Sequence, residues 1–188
     1  MQNPLQTEPP YRSVRHAQER RLRVLDILKE GERVRGTELA KALGVSRQII
    51  VGDVALLKAG GVPVISTPRG YYLKKEPRGY LRTLVCFHKR RRTAEELRLI
   101  ISLGGMVHNV SVEHEIYGSI TANLEIKNKN DVDDFIRRMK MKRAPLLSTI
   151  SGGIHSHLIE TKGEKEMDMV EEGLRKAGFL YEDRQVRL

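Results

Sequence analysis

Residues 36–73 read GTELAKALGVSRQIIVGDVALLKAGGVPVISTPRGYYL, and the turn Leu43-Gly44-Val45-Ser46 near their centre decides the fold. Before the turn, Thr37 is a good N-cap and Glu38 suits a first helical turn, so a helix is expected from about Thr37 to Leu43. After it, Ser46 can cap a second helix, whose apolar residues Ile50, Val54 and Leu57 fall at i, i+4 and i+7 before Gly60-Gly61 stops it. Two helices joined this way make a helix-turn-helix. Val62–Ile65 then reads as a strand, Thr67-Pro68-Arg69-Gly70 as a turn and Tyr71–Leu73 as a returning strand. A short hairpin placed directly after the helix is a wing. Upstream, a helical pattern starts at Ser13 with Leu22, Leu25 and Leu28 on one face, and Gly31 ends it. Residues 1–12, with Pro4, Pro9 and Pro10 and no apolar periodicity, read as a disordered lead.

The winged helix occupies residues 13–76, and geometry gives it a use. Its third helix would enter the major groove with Ser46, Arg47 and Gln48 nearest the base edges. Arg47 can fork to guanine and Gln48 can pair with adenine. Arg69 at the wing tip can reach phosphate or the minor groove. The competing reading of Arg47 is a surface salt bridge. Gly52 is awkward inside a helix, where glycine costs about 1 kcal/mol against alanine. Of Ile49 and Val51, one can touch a thymine methyl, and core packing claims at least one.

Charge agrees with that placement. The 188 residues carry 34 Lys+Arg against 24 Asp+Glu, a net of +10. Residues 1–79 hold 15 basic and 8 acidic residues, a net of +7, which leaves +3 for the rest. A surplus of this kind suits nucleic acid, an anionic membrane or an acidic partner, and its position beside a helix-turn-helix favours double-stranded DNA over membrane. No apolar run is long enough to cross a bilayer and residues 1–11 lack a signal-peptide apolar stretch. A single cysteine, Cys86, cannot form a disulfide within the chain, so a reducing, cytoplasmic setting is expected.

Residues 80–188 read as a second domain, of α+β class. Leu84–Phe87 is β-prone. Thr93 can cap a helix carrying Leu97, Ile100 and Ile101, with Glu95 and Glu96 in its first turn. Residues 107–112 and 116–126 alternate as half-buried strands do. Asn130 can cap a helix to about Arg143, residues 146–150 and 154–159 are strand-like, and a last helix spans about 164–177. The order β-α-β-β-α-β plus a helix suggests a split βαβ, ferredoxin-like sandwich.

The chemistry of this half lies in its histidines. His155-Ser156-His157 on a strand projects two imidazoles from one face, able to converge on one ion or to remain two surface side chains. Imidazole suits zinc, nickel, copper or iron. His88 at a strand end and a glutamate on the following helix can complete a site, with spacing alone leaving Glu95 and Glu96 equivalent. His114, before Tyr117-Gly118, is either a turn-side hydrogen-bond partner or a ligand contact. Arg90, Arg91 and Arg92 can hold a carboxylate or form a solvated loop. Cys86, among apolar neighbours, packs rather than reacts.

Taken together the motifs resemble a known family. Val45-Ser46-Arg47-Gln48, Asp53-Val54, Leu57 and Thr67-Pro68-Arg69-Gly70-Tyr71 resemble the biotin-repressor-type winged helix. Phe87-His88, Glu96, His114-Glu115-Ile116-Tyr117-Gly118 and Gly152-Gly153-Ile154-His155-Ser156-His157 resemble the 3H domain, a small-molecule-binding module. The pair, in this order, is similar to the niacin-responsive transcriptional repressors that control NAD synthesis or niacin uptake genes. Two departures stand out: Gly52 where a larger polar residue is usual, and Glu115 where proline is frequent. The resemblance implies a homodimer. It also implies one divalent transition metal per chain, nickel or zinc, held by His88, Glu96, His155 and His157. It implies as effector nicotinic acid or a related pyridine carboxylate, for which His114, Tyr117 and Arg91 are the candidate contacts. Two other functions fit the same residues: a repressor for which the ion itself is the signal, and a small metal-dependent enzyme fused to a DNA-binding module. The second is disfavoured, because three histidines and a carboxylate fill a four-coordinate shell and no general base is evident.

Overall fold

The structure, a computed structural model, describes residues 10–30, 33–74, 78–142 and 145–181, with side chains in the first helix from residue 16 onward. The chain divides into two compact units, Met1–Lys75 and Glu76–Leu188.

In the first unit α1 (Pro10–Glu30), α2 (Gly36–Ala42) and α3 (Arg47–Ala59) precede a hairpin of β1 (Val64–Thr67) and β2 (Gly70–Leu73). Helix α1 starts three residues earlier than the sequence pattern suggests, at a proline, whose missing N–H costs nothing at a first helical position. Its buried stripe is Val24 and Leu28, with Leu25 half-buried. Leu22 was expected on that stripe but is 61% exposed, because it lies two residues from Val24 and so on the far side of the helix. The Gly31 end of this helix and the lead residues 1–9 lie outside the described residues.

Helix α2 is capped differently from the expectation. Its N-cap is Arg35, whose N–H donates to the Glu38 carboxylate at 2.9 Å, and Thr37 already lies inside the helix. Helix α3 begins as expected, with Ser46 Oγ accepting the Ile49 N–H at 3.3 Å, and it buries Ile50, Val54 and Leu57. Each such side chain, fully buried, contributes about 1.5–3 kcal/mol. The helix stops in a Schellman arrangement: the Val62 N–H returns to Leu57 O and the Gly61 N–H to Lys58 O, with Gly61 at φ 84°. Val62 is therefore part of the helix stop, and β1 begins two residues later than expected. Arg20 ties α1 to α3 through a two-pronged ion pair with buried Asp53, at 2.6 and 3.1 Å.

In the second unit β3 (Tyr80–Phe87), α4 (Thr93–Ser102), β4 (Met106–His114), β5 (Gly118–Ile126), α5 (Lys129–Lys142), β6 (Ile154–Thr161) and α6 (Glu164–Lys176) form an α/β sandwich. The antiparallel sheet has the order β3-β6-β4-β5. Strands linked through a helix, β3 to β4 and β5 to β6, thus run parallel with one strand between them, as in a split βαβ. The helices cover one sheet face around Leu84, Cys86, Leu97, Ile100, Val107, Ile159, Met167 and Phe179.

Four local expectations are revised here. Residues 146–150 are not a strand; a 3-10 turn spans Leu147–Thr149. Ile116 is not in β5 but in the tight turn before it, 80% exposed. Asn128 rather than Asn130 caps α5, accepting the Asp131 N–H at 3.0 Å, while Asp131 accepts the Lys127 N–H at 2.9 Å. Thr93 does not cap α4, which is entered from a 3-10 turn at Arg90–Arg92 that carries the chain straight into the helix.

Candidate functional site

Where β3 ends, β6 begins. Cys86 pairs with His155 across these strands, and His157 follows two residues on, so both imidazoles of β6 face the helices rather than the outer side of the sheet. His88 lies just past the end of β3. Helix α4 lowers Glu96 onto them from above, on the same stripe as buried Thr93, Leu97 and Ile100. The four side chains are almost wholly buried, and Glu96 is 0% exposed. Phe179 walls the site against His88, and Arg92 stacks on the Phe179 ring.

Each imidazole is held by its Nδ1. His88 Nδ1 meets Lys89 O at 3.0 Å, His155 Nδ1 meets Gly153 O at 2.9 Å, and His157 Nδ1 meets Asn109 O at 2.7 Å. A carbonyl oxygen only accepts, so in all three rings the proton sits on Nδ1. Each Nε2 is turned to Glu96. His88 Nε2 lies 2.7 Å from Oε2, His155 Nε2 3.3 Å from Oε1, and His157 Nε2 3.5 Å from Oε2. In neutral rings these are lone pairs facing a carboxylate, an arrangement that only added protons or a cation can satisfy. Among the described residues, Glu96 Oε1 has no hydrogen-bond partner in the fully buried site.

The electrostatics carry the same strain. Burial disfavours charge on Glu96, yet the imidazoles of His157, His155 and His88 outweigh it and hold the carboxyl well below its usual range. Burial likewise works against charged His88 and His157, and Glu96 nevertheless raises both above the ordinary imidazole value. Burial, then Glu96, pushes the Cys86 thiol up, so it stays protonated in the core.

The donor set fits a transition metal. Bonds of about 2.0–2.1 Å to nitrogen place neighbouring ligand atoms about 2.9–3.4 Å apart, close to the separations around Glu96. His88, Glu96 and His155 offer atoms all within 4.8 Å of one another, and His157 approaches through Glu96. The main-chain carbonyls on the far nitrogens are the outer partners that ligating histidines normally have.

The other candidates fall elsewhere. His114 Nδ1 accepts the Ile116 and Tyr117 N–H groups at 3.1 and 3.3 Å, and its ring leans on Tyr117 at 4.9 Å. These two are thus brought together in the β4–β5 turn, with His114 in the turn-side role. Arg91 is exposed on the 3-10 turn after His88, while Arg92 pairs with Glu95 at 2.8 and 2.9 Å. Sequence reading missed Asn109, which supplies the carbonyl for His157 and accepts the Leu158 N–H on its side-chain oxygen at 3.1 Å. No local signal marks it, because its role arises from the displaced register between β4 and β6.

In the first unit Ser46, Arg47 and Gln48 are all exposed on the first turn of α3. Arg47 makes no ion pair among the described residues. A side chain at Gly52 would meet open space, so this glycine answers no packing demand among the described residues. Ile49 is the more exposed of the two apolar residues here, and Val51 is half-buried. Arg69 sits at the wing tip, where its N–H donates to Thr67 Oγ1 at 3.2 Å.

Comparison with known proteins gives a consistent picture. Residues 20–72 match the HTH domain model and residues 81–183 the 3H domain model. The chain is 38% identical over 167 residues to a probable transcription repressor, NiaR, of Thermotoga maritima, covering 88% of this chain and 95% of that protein. It is 38% identical over 169 residues to the transcription repressor NadR of Bacillus subtilis, covering 87% and 94%. No helix among the described residues is long and apolar enough to cross a membrane. With a DNA-binding helix-turn-helix followed by a 3H domain, and relatives of this kind over nearly its whole length, the chain belongs to the NiaR/NadR family of transcription repressors and is a regulator, not an enzyme.

Proposed function

We propose that this repressor senses nicotinic acid, or a related pyridine carboxylate, through a metal-containing C-terminal domain and controls genes of NAD synthesis or niacin uptake in the cytoplasm. In this reading residues 13–76 bind DNA, residues 80–188 form the sensor, and the working unit is a homodimer whose two α3 helices read two half-sites. The observation that carries it is the convergence of three Nε2 atoms on one buried carboxylate. His88, Glu96, His155 and His157 would hold the ion. Bound there, a nickel or zinc ion that expands beyond these four ligands would supply a Lewis-acidic position suited to a pyridine nitrogen. Arg91, exposed beside His88, offers a partner for the carboxylate. His114 and Tyr117 form the third contact of the proposal, from the β4–β5 turn.

On the DNA side Arg47 and Gln48 read bases, Ser46 fixes the start of α3, and Arg69 holds the backbone from the wing. Effector binding biases dimer geometry and with it the spacing of the recognition helices. Gel shift on the upstream region of the chain's own gene, with metal and with or without nicotinate, tests the reading. An unchanged shift sinks the niacin part, and a response to nickel or zinc alone makes the ion the signal. Arg47→Ala is expected to weaken specific binding by about 1–3 kcal/mol and relax discrimination at one base pair. Equal loss on every sequence would make Arg47 a phosphate contact. His155→Ala is expected to lose its metal by elemental analysis while binding DNA as before.

A further inference from the structure

We propose that Asn109, His108 and Glu160 relay the state of the His88/Glu96/His155/His157 site to the point where the chain enters the C-terminal unit. The proposal rests on reading that site as a metal centre. Strand β4 is irregular on both sides at this point. Against β6, His108, Asn109 and Val110 stand opposite only His157 and Leu158, between the pairs Val107–Ile159 and Ser111–Ser156. Against β5, His108 alone stands opposite Leu124 and Glu125, between the pairs Val107–Ile126 and Asn109–Asn123. Two bulges therefore meet at His108-Asn109, and bulges re-aim side chains.

The first bulge brings the Asn109 carbonyl within 2.7 Å of His157 Nδ1. The second places Glu125 at φ 54°, the one non-glycine residue with positive φ among those described, and its carboxylate lies 3.1 Å from His108 Nδ1. The other nitrogen, His108 Nε2, donates to Glu160 Oε2 at 2.7 Å. The second oxygen of Glu160 accepts the Gly79 N–H at 2.9 Å and the Arg78 N–H at 3.2 Å. Arg78 and Gly79 are the first described residues of the C-terminal unit, and the winged-helix unit precedes them in the chain.

An unbroken series thus runs from His157 through the Asn109 main chain, the His108 ring and Glu160 to the entering backbone. Loading Nε2 of His157 polarises its Nδ1–H and strengthens the bond to Asn109. The strained residue at the junction is the kind of feature that persists only when its surroundings over-determine it. His108 sits on the outer face of the sheet and is not a ligand, so its removal leaves the ion's own shell intact.

Amide hydrogen exchange at Arg78 and Gly79 in the full-length chain, with nickel chloride alone or with chelator, reads this coupling directly. Nickel is expected to slow exchange there by at least about threefold in the natural chain. His108→Leu is expected to bind nickel with the same stoichiometry but show no slowing, and Glu160→Ala to exchange fast in both conditions. Nickel bound to the natural chain with exchange unchanged overturns the relay and leaves the metal centre standing. Slowing that survives in His108→Leu overturns it as well. Absence of both nickel and zinc binding to the natural chain defeats the metal centre and the relay together, and a chain that takes only zinc is measured with zinc chloride in the same way. The natural-chain measurement decides without any variant, so a variant that misfolds does not blunt the test.

Discussion

The sheet of the C-terminal unit carries a histidine–carboxylate cluster on each face, and the two are built on opposite principles. On the helix-covered face three imidazoles surround one carboxylate, with every Nδ1 committed to a carbonyl and every Nε2 turned inward. On the outer face one imidazole lies between two carboxylates, Glu125 and Glu160, with its nitrogens pointing in opposite directions. The outer cluster is complete: an imidazolium between two acceptors satisfies every partner. The inner cluster is not, since its acceptors converge and one oxygen has no hydrogen bond. Convergence of lone pairs, rather than the number of histidines, separates the proposed cation site from a strut.

The largest effect that distinguishes them lies in metal affinity. Glu96→Gln is expected to lower nickel affinity by more than about 100-fold, beyond the usual cost of losing an outer partner. Glu160→Gln on the other face is expected to change nickel affinity by no more than the roughly threefold coupling of the relay and to cost about 1.5–3 kcal/mol of stability for a hydrogen bond to a charged group. Calorimetric nickel titration and thermal unfolding of both variants check this. Equal losses of affinity would erase the distinction.

The pH dependence sharpens it. His88 and His157 have raised values in the metal-free chain, so the stabilisation from their protonated forms is complete below the ordinary 6.5 and is lost as pH rises through the raised values. Glu96 is depressed, so its contribution is present above the ordinary 4.5 and is lost as pH falls through its low value. Hydrogen bonding to Glu125, opposed by burial and aided by Glu160, raises His108 too, giving an alkaline loss of the same sign. Metal needs the deprotonated rings, so saturating nickel is expected to remove the inner share of the alkaline decline in Tm and leave the share of His108. A decline identical with nickel and with chelator would contradict the assignment.

The smallest expected effect concerns the strut. Glu125→Gly relieves a left-handed backbone worth about 1–3 kcal/mol but gives up a hydrogen bond to a charged ring worth about 1.5–3 kcal/mol, so a net loss below about 1 kcal/mol is expected in denaturant unfolding. Clear stabilisation would show that His108 does not need Glu125.

What could be read from sequence followed the range of the interactions involved. The Ser46 cap, the buried residues of α3 and the hairpin at Thr67–Gly70 depend on neighbours a few residues apart, and the structure has them where local chemistry puts them. The i, i+2 relation of His155 and His157 was legible for the same reason. Glu95 and Glu96 were indistinguishable by spacing, because which faces the sheet depends on how α4 enters from its 3-10 turn. Asn109 and His108 were beyond reach, since their roles arise from a register between β4, β5 and β6 that an extra residue on each side displaces. The Thr37, Thr93 and Asn130 caps failed because several polar residues compete near each helix start and packing selects among them.

The wing has a consequence of its own. Val34 and Tyr71 exchange two main-chain hydrogen bonds of 2.9 Å, so the segment ahead of α2 adds a third rung beside the hairpin. At Gly70, φ is 138° and a Cβ would stand 2.3 Å from Val34 O, so only glycine admits that approach. The hairpin is thereby bolted to the helices that carry Arg47. The distance between Arg47 and Arg69, the proposed base and backbone contacts, becomes a fixed gauge, set when the unit folds and not when it meets its target. Residues of this hairpin should then tolerate substitution as interior positions do, with loss of melting temperature preceding any change in which sequence is read.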